Sequence, residues 1–238
     1  MSEIAENLAK IRENIKASCE RAGRNESDVT LIAVSKTKPI KCLKEAYDAG
    51  VRDFGENKVQ EIVEKYDKMP HDTRFHMIGH LQRNKVRQVI DKVVMIHSVD
   101  SYRLAQEISV QAQKRGIEMD ILVEVNLGAE ETKFGGGYED TIQLFEEISF
   151  LPGLKIKGLM TVAPYVVDSE ENREIFHKIW ELSVDIEKRK LDNVSMNVLS
   201  MGMTGDYTVA IEEGSTCVRV GTGIFGERDY SPTNQKEM

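Results

Sequence analysis

The chain has 238 residues, 40% of them apolar, 30% charged and 6% aromatic, with a formal net charge of −8. This balance excludes disordered, collagenous and disulfide-stapled miniprotein classes, and a chain of this size buries roughly 70% of the surface its unfolded form exposes, enough for a large core. The acidic balance also argues against nucleic acid as a partner, because neutralising phosphates calls for a basic face.

No apolar run is long enough to span a membrane, and the start of the chain, with Ser2, Glu3 and Glu6, lacks the basic and hydrophobic regions of a signal peptide. The three cysteines, Cys19, Cys42 and Cys217, are scattered, odd in number and without metal-ligand spacing. They read as thiols of a reducing compartment, so the expectation is a cytoplasmic protein with no metal centre.

The first segment carries Ile4, Leu8, Ile11 and Ile15 on one helical stripe that ends near Gly23. Short apolar runs then alternate with helical patterns. Thr30–Val34 leads to Pro39, which can open a helix with Ile40, Leu43 and Tyr47 on its apolar side and Gly50 at its end. Val51–Phe54 precedes Val59, Ile62, Val63 and Tyr66, and Phe75–Ile78 precedes Val86, Val89 and Ile90. Val93–Ile96 is followed by Leu104, Ala105, Ile108 and Ala112, and Ile121–Val125 by Ile142, Phe145 and Ile148. Ile156–Met160 is trailed by a long helix with Phe176, Ile179, Trp180 and Ile186. Met196–Leu199 and Cys217–Val220 flank a short helical stretch around Tyr207–Ile211.

Eight strand-like runs with helices between them imply right-handed parallel crossovers and a sheet covered on its faces. No linker divides the chain, and the five prolines fall singly at element junctions. The expected fold is therefore α/β, a single (β/α)8 TIM barrel spanning residues 1–238, with one extra N-terminal helix covering it.

In such a barrel the active face is built just beyond the C-terminal ends of the strands. Those positions hold Ser35-Lys36, Gly55-Glu56-Asn57, Gly79-His80, His97-Ser98, Asn126, Thr161, Ser200-Met201-Gly202-Met203-Thr204 and Gly221-Thr222-Gly223. The last two clusters combine glycines, whose backbone N–H groups can approach an anion, with hydroxyl donors, at the loops where barrels most often hold phosphate. A tight turn without ligand is the plainer alternative for either cluster alone.

Lys36 ends the first strand run and is expected to project from the rim into the same mouth. A desolvated amine there can attack an aldehyde. A lone strand-end lysine is more often an ion-pairing residue, but opposite a phosphate cup it suggests a phosphorylated aldehyde cofactor such as pyridoxal phosphate, bound as a Schiff base. Arg219 is the charged residue of the last run, and alternation places it on the same side as Gly221, facing the interior. Its partner is either a strand carboxylate such as Glu124 or the pyridine nitrogen of the cofactor, toward which it can only donate. His76, His80 and His97 read as core or rim residues. Gly135-Gly136-Gly137, after Glu130-Glu131-Thr132-Lys133, reads as a solvated loop or a lid. Of ten methionines, Met201 and Met203 are placed to line a site.

Ile32-Ala33-Val34-Ser35-Lys36-Thr37-Lys38-Pro39, Phe54-Gly55-Glu56-Asn57, Phe75-His76-Met77-Ile78-Gly79-His80-Leu81-Gln82, Gly158-Leu159-Met160-Thr161, Ser200-Met201-Gly202-Met203-Thr204 and Val218-Arg219-Val220-Gly221-Thr222-Gly223-Ile224-Phe225-Gly226 together resemble the pyridoxal 5′-phosphate homeostasis proteins, also called proline synthetase co-transcribed homologues. The resemblance runs from the first helix to about Tyr230. It implies a fold-type III barrel similar to that of alanine racemase, binding pyridoxal 5′-phosphate (PLP) through Lys36. It further implies phosphate contacts at Ser200, Gly202, Thr204, Gly221 and Thr222, Arg219 by the pyridine nitrogen and Asn57 near the ring. The chain departs from the family pattern at Thr204, commonly Ser, and at His80, often Pro.

The implied role is to hold and regulate vitamin B6 cofactor without an established reaction, as a monomer, with apo PLP-dependent enzymes as candidate recipients and no membrane partner. The expectation is that 238 residues used up by eight βα units leave no room for the second domain and second base that racemases of this fold bring. The rival readings are a fold-type III amino-acid racemase or related enzyme, and a cofactor-free phosphosugar isomerase.

Overall fold

In the computed structural model, which describes residues 2–127 and 134–227, each apolar run becomes a parallel strand. These are β1 (Thr30–Val34), β2 (Asp53–Glu56), β3 (Arg74–Met77), β4 (Met95–Val99), β5 (Met119–Val125), β6 (Leu154–Thr161), β7 (Val194–Ser200) and β8 (Cys217–Val220). They pair in sequence order and close into a barrel, β1 meeting β8 from Thr30↔Cys217 to Ala33↔Val220. The helices are α1 (Glu3–Arg21), α2 (Ile40–Asp48), α3 (Val59–Tyr66), α4 (Val86–Val89), α5 (Tyr102–Arg115), α6 (Tyr138–Ile148), α7 (Arg173–Lys188), α8 (Tyr207–Glu212) and α9 (Thr222–Phe225). None of the described helices is long and apolar enough to cross a membrane.

The extra helix α1 starts on Ser2, whose side chain accepts from the Ala5 N–H, with Glu3 and Glu6 in the first turn where the helix dipole favours them. Its stripe of Ile4, Leu8, Ile11 and Ile15 is buried. Asn7 donates to the Ile224 carbonyl, Asn14 to the Tyr207 hydroxyl, and Arg24 to the carbonyls of Ile211 and Ser215. These bonds tie α1 across α8 and α9, so it braces the loops that follow β7 and β8.

Two strands begin later than the apolar pattern suggests. The Val51 N–H bonds back to the Ala46 carbonyl and closes the end of α2, so β2 starts at Asp53 and runs through Gly55 to Glu56, all buried. β4 likewise starts at Met95 and extends to Val99. As a result Glu56, His97 and Ser98 lie inside strands, not beyond them. A third feature is Gly158 in β6, where a Cβ would fall 1.9 Å from the Val198 carbonyl oxygen; only glycine lets β7 approach this closely.

Between the strands and the helices the packing is apolar, with Phe54, Phe75, Phe145 and Phe176 fully buried. The inside of the barrel is different. Asp53, His76, His97, Ser200 and Arg219 are all buried there and are hydrogen-bonded to one another in series.

Candidate functional site

At the end of β7 the chain turns through Met201-Gly202-Met203-Thr204 into α8. Gly202 has φ +92°, and a Cβ on it would lie 2.7 Å from the Ala210 Cβ and 2.8 Å from the Tyr207 Cα. The loop can therefore fold down on α8 only with glycine at this point. Three bonds then shape it: Arg219 N–H to the Gly202 carbonyl at 3.0 Å, Met203 N–H to Asp206 Oδ1 at 2.7 Å, and Gly223 N–H to Thr204 Oγ1 at 3.3 Å. The loops after β7 and β8 thus meet as one cup. The N–H groups of Gly202, Thr204 and Thr222 donate to no protein acceptor among the described residues. Unspent backbone donors gathered between two glycine-bearing loops fit an anion such as a phosphate.

Gly221 closes the cup against β1, its Cβ position being 3.3 Å from the Val34 Cβ. Lys36, two residues beyond Val34, is half-buried at this rim. Its neighbours on both sides are pinned by a buried cluster. Ser35 Oγ donates to Glu56 Oε1 at 2.6 Å. Lys65 Nζ donates to the Ser35 carbonyl at 3.0 Å and to Glu56 and Glu61, each at 2.8 Å. The Thr37 N–H donates to Glu61 Oε2 at 2.7 Å. Burial pushes the Glu56 carboxyl up to about 7, against the Lys65 ammonium beside it. Burial also acts on Glu61, but the Lys65 and Thr37 hydrogen bonds outweigh it and hold that carboxyl below its usual range. This support for the Lys36 segment is absent from the sequence reading. Its signal was a lysine on the buried stripe of α3, with Val59, Ile62 and Lys65 at i, i+3 and i+6.

Arg219 faces the interior as alternation predicts, and is 4% exposed. Nη1 donates to the Ser200 carbonyl at 2.6 Å and to Ser200 Oγ at 2.7 Å, and Nη2 donates to the Thr161 carbonyl at 2.7 Å. The guanidinium is therefore anchored by β6 and β7, and Glu124 is not its hydrogen-bonding partner. Among the described residues, Glu124 Oε2 is instead buried with no partner, as are Glu56 Oε2 and Asn57 Oδ1. Burial and then the neighbouring Asp100 raise the Glu124 carboxyl to about 7, with Arg219 opposing. Asn57 itself is half-buried and packs under Gly79, whose Cβ position is 2.6 Å from the Asn57 carbonyl oxygen. A buried acceptor without a partner is costly unless a ligand donor meets it, so Asn57 Oδ1 and Glu124 Oε2 fit a polar molecule in the mouth, whereas Glu56 faces Lys65 of α3 behind the rim.

The remaining sequence candidates divide. Thr204 and Thr222 are exposed on the cup, and Met203 is half-buried in it. Met201 does not line the mouth: it is fully buried in the core, and its N–H bonds the Cys217 carbonyl. His80 stands at the rim, Nδ1 3.4 Å from Asp100 Oδ2, stacked on Phe134 with ring centroids 3.9 Å apart. Glu130–Lys133 lie outside the described residues. Gly135 and Gly136 are not a solvated loop, since a Cβ on Gly135 would sit 2.7 Å from the Glu124 carbonyl oxygen and Gly136 bridges to Val125.

Residues 7–229 match the model of the alanine racemase N-terminal domain family. A pyridoxal phosphate homeostasis protein of Aquifex aeolicus is 46% identical over 94% of this chain and 98% of its own length, and one of Escherichia coli K12 is 39% identical over 97% and 99%. PipY of Synechococcus elongatus, solved with PLP bound, superposes with a TM-score of 0.82 at 34% identity over 94% of this chain and 100% of that one. Alanine racemase of Clostridium difficile, at 17% identity and a TM-score of 0.74 over 98% of this chain and 58% of its own, shares the barrel fold. The sequence motifs, the closed barrel and these relatives agree, and the chain belongs to the pyridoxal phosphate homeostasis protein family.

Proposed function

We propose that this chain binds pyridoxal 5′-phosphate in the barrel mouth and serves its homeostasis, with Lys36 as the covalent anchor. The observation that carries the reading is the cup itself: N–H donors of Gly202, Thr204 and Thr222 without protein acceptors among the described residues, set beside the β1 rim that bears Lys36. When bound, PLP supplies an aldehyde carbon to which an amine nitrogen can bond with loss of one water. Everything else is the work of the chain. The Glu56–Lys65–Glu61 cluster fixes Ser35 and Thr37 and so the position of Lys36. Thr204, Gly221 and Thr222 frame the phosphate, Met203 flanks it, and Asn57 offers its buried oxygen on the ring side. Arg219 presents a permanent donor toward the pyridine nitrogen and keeps that nitrogen unprotonated.

A ring nitrogen held this way makes the cofactor a poorer electron sink, which suits storage and delivery more than racemisation. The relatives' printed name, a homeostasis protein, supports the same side of that choice. The reading includes a monomeric, cytoplasmic, one-domain carrier, with apo PLP-dependent enzymes as recipients. Mixing the protein with PLP is expected to give a visible absorbance band that borohydride fixes to one lysine. Lys36→Ala with wild-type affinity and spectrum sinks the anchor assignment. Solvent deuterium exchange at Cα of amino acids tests the racemase alternative, and clear turnover overturns the carrier reading.

A further inference from the structure

Five buried side chains form a continuous series across the barrel, from Arg219 at the mouth to Asp53 near the opposite end. Arg219 Nη1 meets Ser200 Oγ at 2.7 Å, Ser200 Oγ meets His97 Nδ1 at 3.0 Å, His97 Nε2 meets His76 Nδ1 at 3.0 Å, and His76 Nε2 meets Asp53 Oδ1 at 3.0 Å. Arg74 Nε donates to Asp53 Oδ1 at 2.8 Å and seals that end.

The direction of each bond follows from the two ends. A guanidinium has no acceptor, so Ser200 Oγ accepts from Arg219. Asp53 is a carboxylate: burial disfavours its charge, but the His76 and Arg74 hydrogen bonds prevail and set it at about 2. It therefore accepts, and His76 Nε2 carries a proton. His97 is fully enclosed, and burial pushes its pKa well down, which leaves it one N–H. With no added proton in the series, His97 Nε2–H donates to His76 Nδ1, and the Ser200 hydroxyl donates to His97 Nδ1. The reverse order needs a charged His76, a second buried cation on a carboxylate that Arg74 already occupies.

We propose that His97 and His76 are positioning residues: they form a one-way hydrogen-bond chain that commits the Ser200 hydroxyl proton to the barrel interior and holds the Arg219 guanidinium in fixed orientation at the mouth. Ser200 then acts on a ligand through Arg219 and spends no hydroxyl donor on phosphate. The link to the ligand rests on the cofactor reading above; the chain itself does not.

Two experiments separate these parts. Nitrogen-15 NMR of the histidine rings in the ligand-free protein is expected to show both His97 and His76 protonated at Nε2 and bare at Nδ1, with the His97 proton slow to exchange. An Nδ1–H or doubly protonated His97 overturns the chain. In the PLP-loaded protein, His97→Leu is expected to shift the absorbance maximum of the Lys36-bound cofactor and weaken its binding roughly tenfold, the scale for a lost hydrogen bond to a charged group. His97→Asn, which keeps an amide near the Nδ1 position, is expected to recover most of the spectral shift. If both variants melt earlier yet keep the wild-type spectrum and affinity, the histidines are structural only and the proposal fails. If wild-type protein takes up no PLP, the cofactor reading falls while the NMR result still decides the chain.

Discussion

The two sides of the barrel mouth are built on opposite plans. On the β7–β8 side the polar groups are spent on each other: Arg219 N–H on Gly202, Met203 N–H on Asp206, Gly223 N–H on Thr204, and the Arg219 guanidinium on Ser200 and Thr161. What remains unspent there, among the described residues, is mainly a set of backbone donors, beside the Arg219 N–H groups that bond neither Ser200 nor Thr161. On the β2–β5 side, among the described residues, Asn57 Oδ1 and Glu124 Oε2 are buried without a partner, and Glu56, behind the rim under α3, carries a third such oxygen, Oε2. One half of the mouth therefore offers fixed donors and the other unsatisfied acceptors. A rigid polarity of this kind orients a ligand that is anionic at one end and carries a donor or cation at the other, and it separates binding strength from stability: the donor side is made of backbone, whereas the acceptor side costs folding energy.

The largest effect is expected where the acceptor side is held together by charge. Lys65→Met leaves Glu56 and Glu61 without their shared cation, and breaking such a buried pair costs about 3–5 kcal/mol. Urea unfolding is the measurement, and PLP affinity is expected to fall with it because the Ser35 carbonyl loses its donor and the carboxylates that hold Ser35 and Thr37 lose the cation that fixes them. A variant that is as stable as the parent shows that the cluster is dispensable.

Glu124→Gln probes the same side through pH. The folded-state carboxyl is raised by burial to about 7 from an ordinary 4.5, so the stabilising contribution is full below about pH 4.5 and is lost as pH rises through about 7. At 1.36 kcal/mol per pKa unit the loss is about 3 kcal/mol. Unfolding free energy measured from pH 4.5 to 8 is expected to decline more steeply for the parent than for the variant. Superimposable profiles would mean that Glu124 does not carry an elevated pKa.

The contrast also explains what the sequence could show. The donor side was legible because it is short-range: Gly202, Thr204, Gly221 and Thr222 lie in two continuous loops, and strand alternation alone turned Arg219 inward. The barrel followed from eight apolar runs, with slips of up to two residues where β2 and β4 start later than their apolar residues. On the acceptor side the residues Glu56, Asn57 and Glu124 were named from the sequence but their bonding was not legible, because each contact depends on a neighbour distant in the chain. Lys65 stands on the buried stripe of α3, but its role shows only once Glu56 is seen under it, and the serial bonding of Asp53, His76, His97 and Ser200 draws on four separate strands. Arg219 marks the limit between the two. Its direction came from alternation, but the choice between Glu124 and other partners required the register that brings Ser200 and Thr161 within its reach.

The smallest effect is expected on the donor side, at Thr204. Its Oγ1 accepts from the Gly223 N–H at 3.3 Å, at an exposed position, so the bond is long and competes with water. Thr204→Val keeps the branched shape, including the Cγ2 that lies 3.1 Å from the Gly223 Cβ position, and removes only the hydroxyl. A net hydrogen bond contributes about 0.5–1.5 kcal/mol, so affinity for inorganic phosphate and for PLP is expected to drop two- to tenfold with little change in melting temperature. Thr204→Ser retains the oxygen and is expected to stay within about twofold of the parent, the remaining difference coming from rotamer freedom that the lost methyl had restricted. Equal phosphate binding by the valine and threonine proteins would show that the two loops hold their spacing without this bond, and that the cup is set by Gly202 and the Arg219 N–H alone.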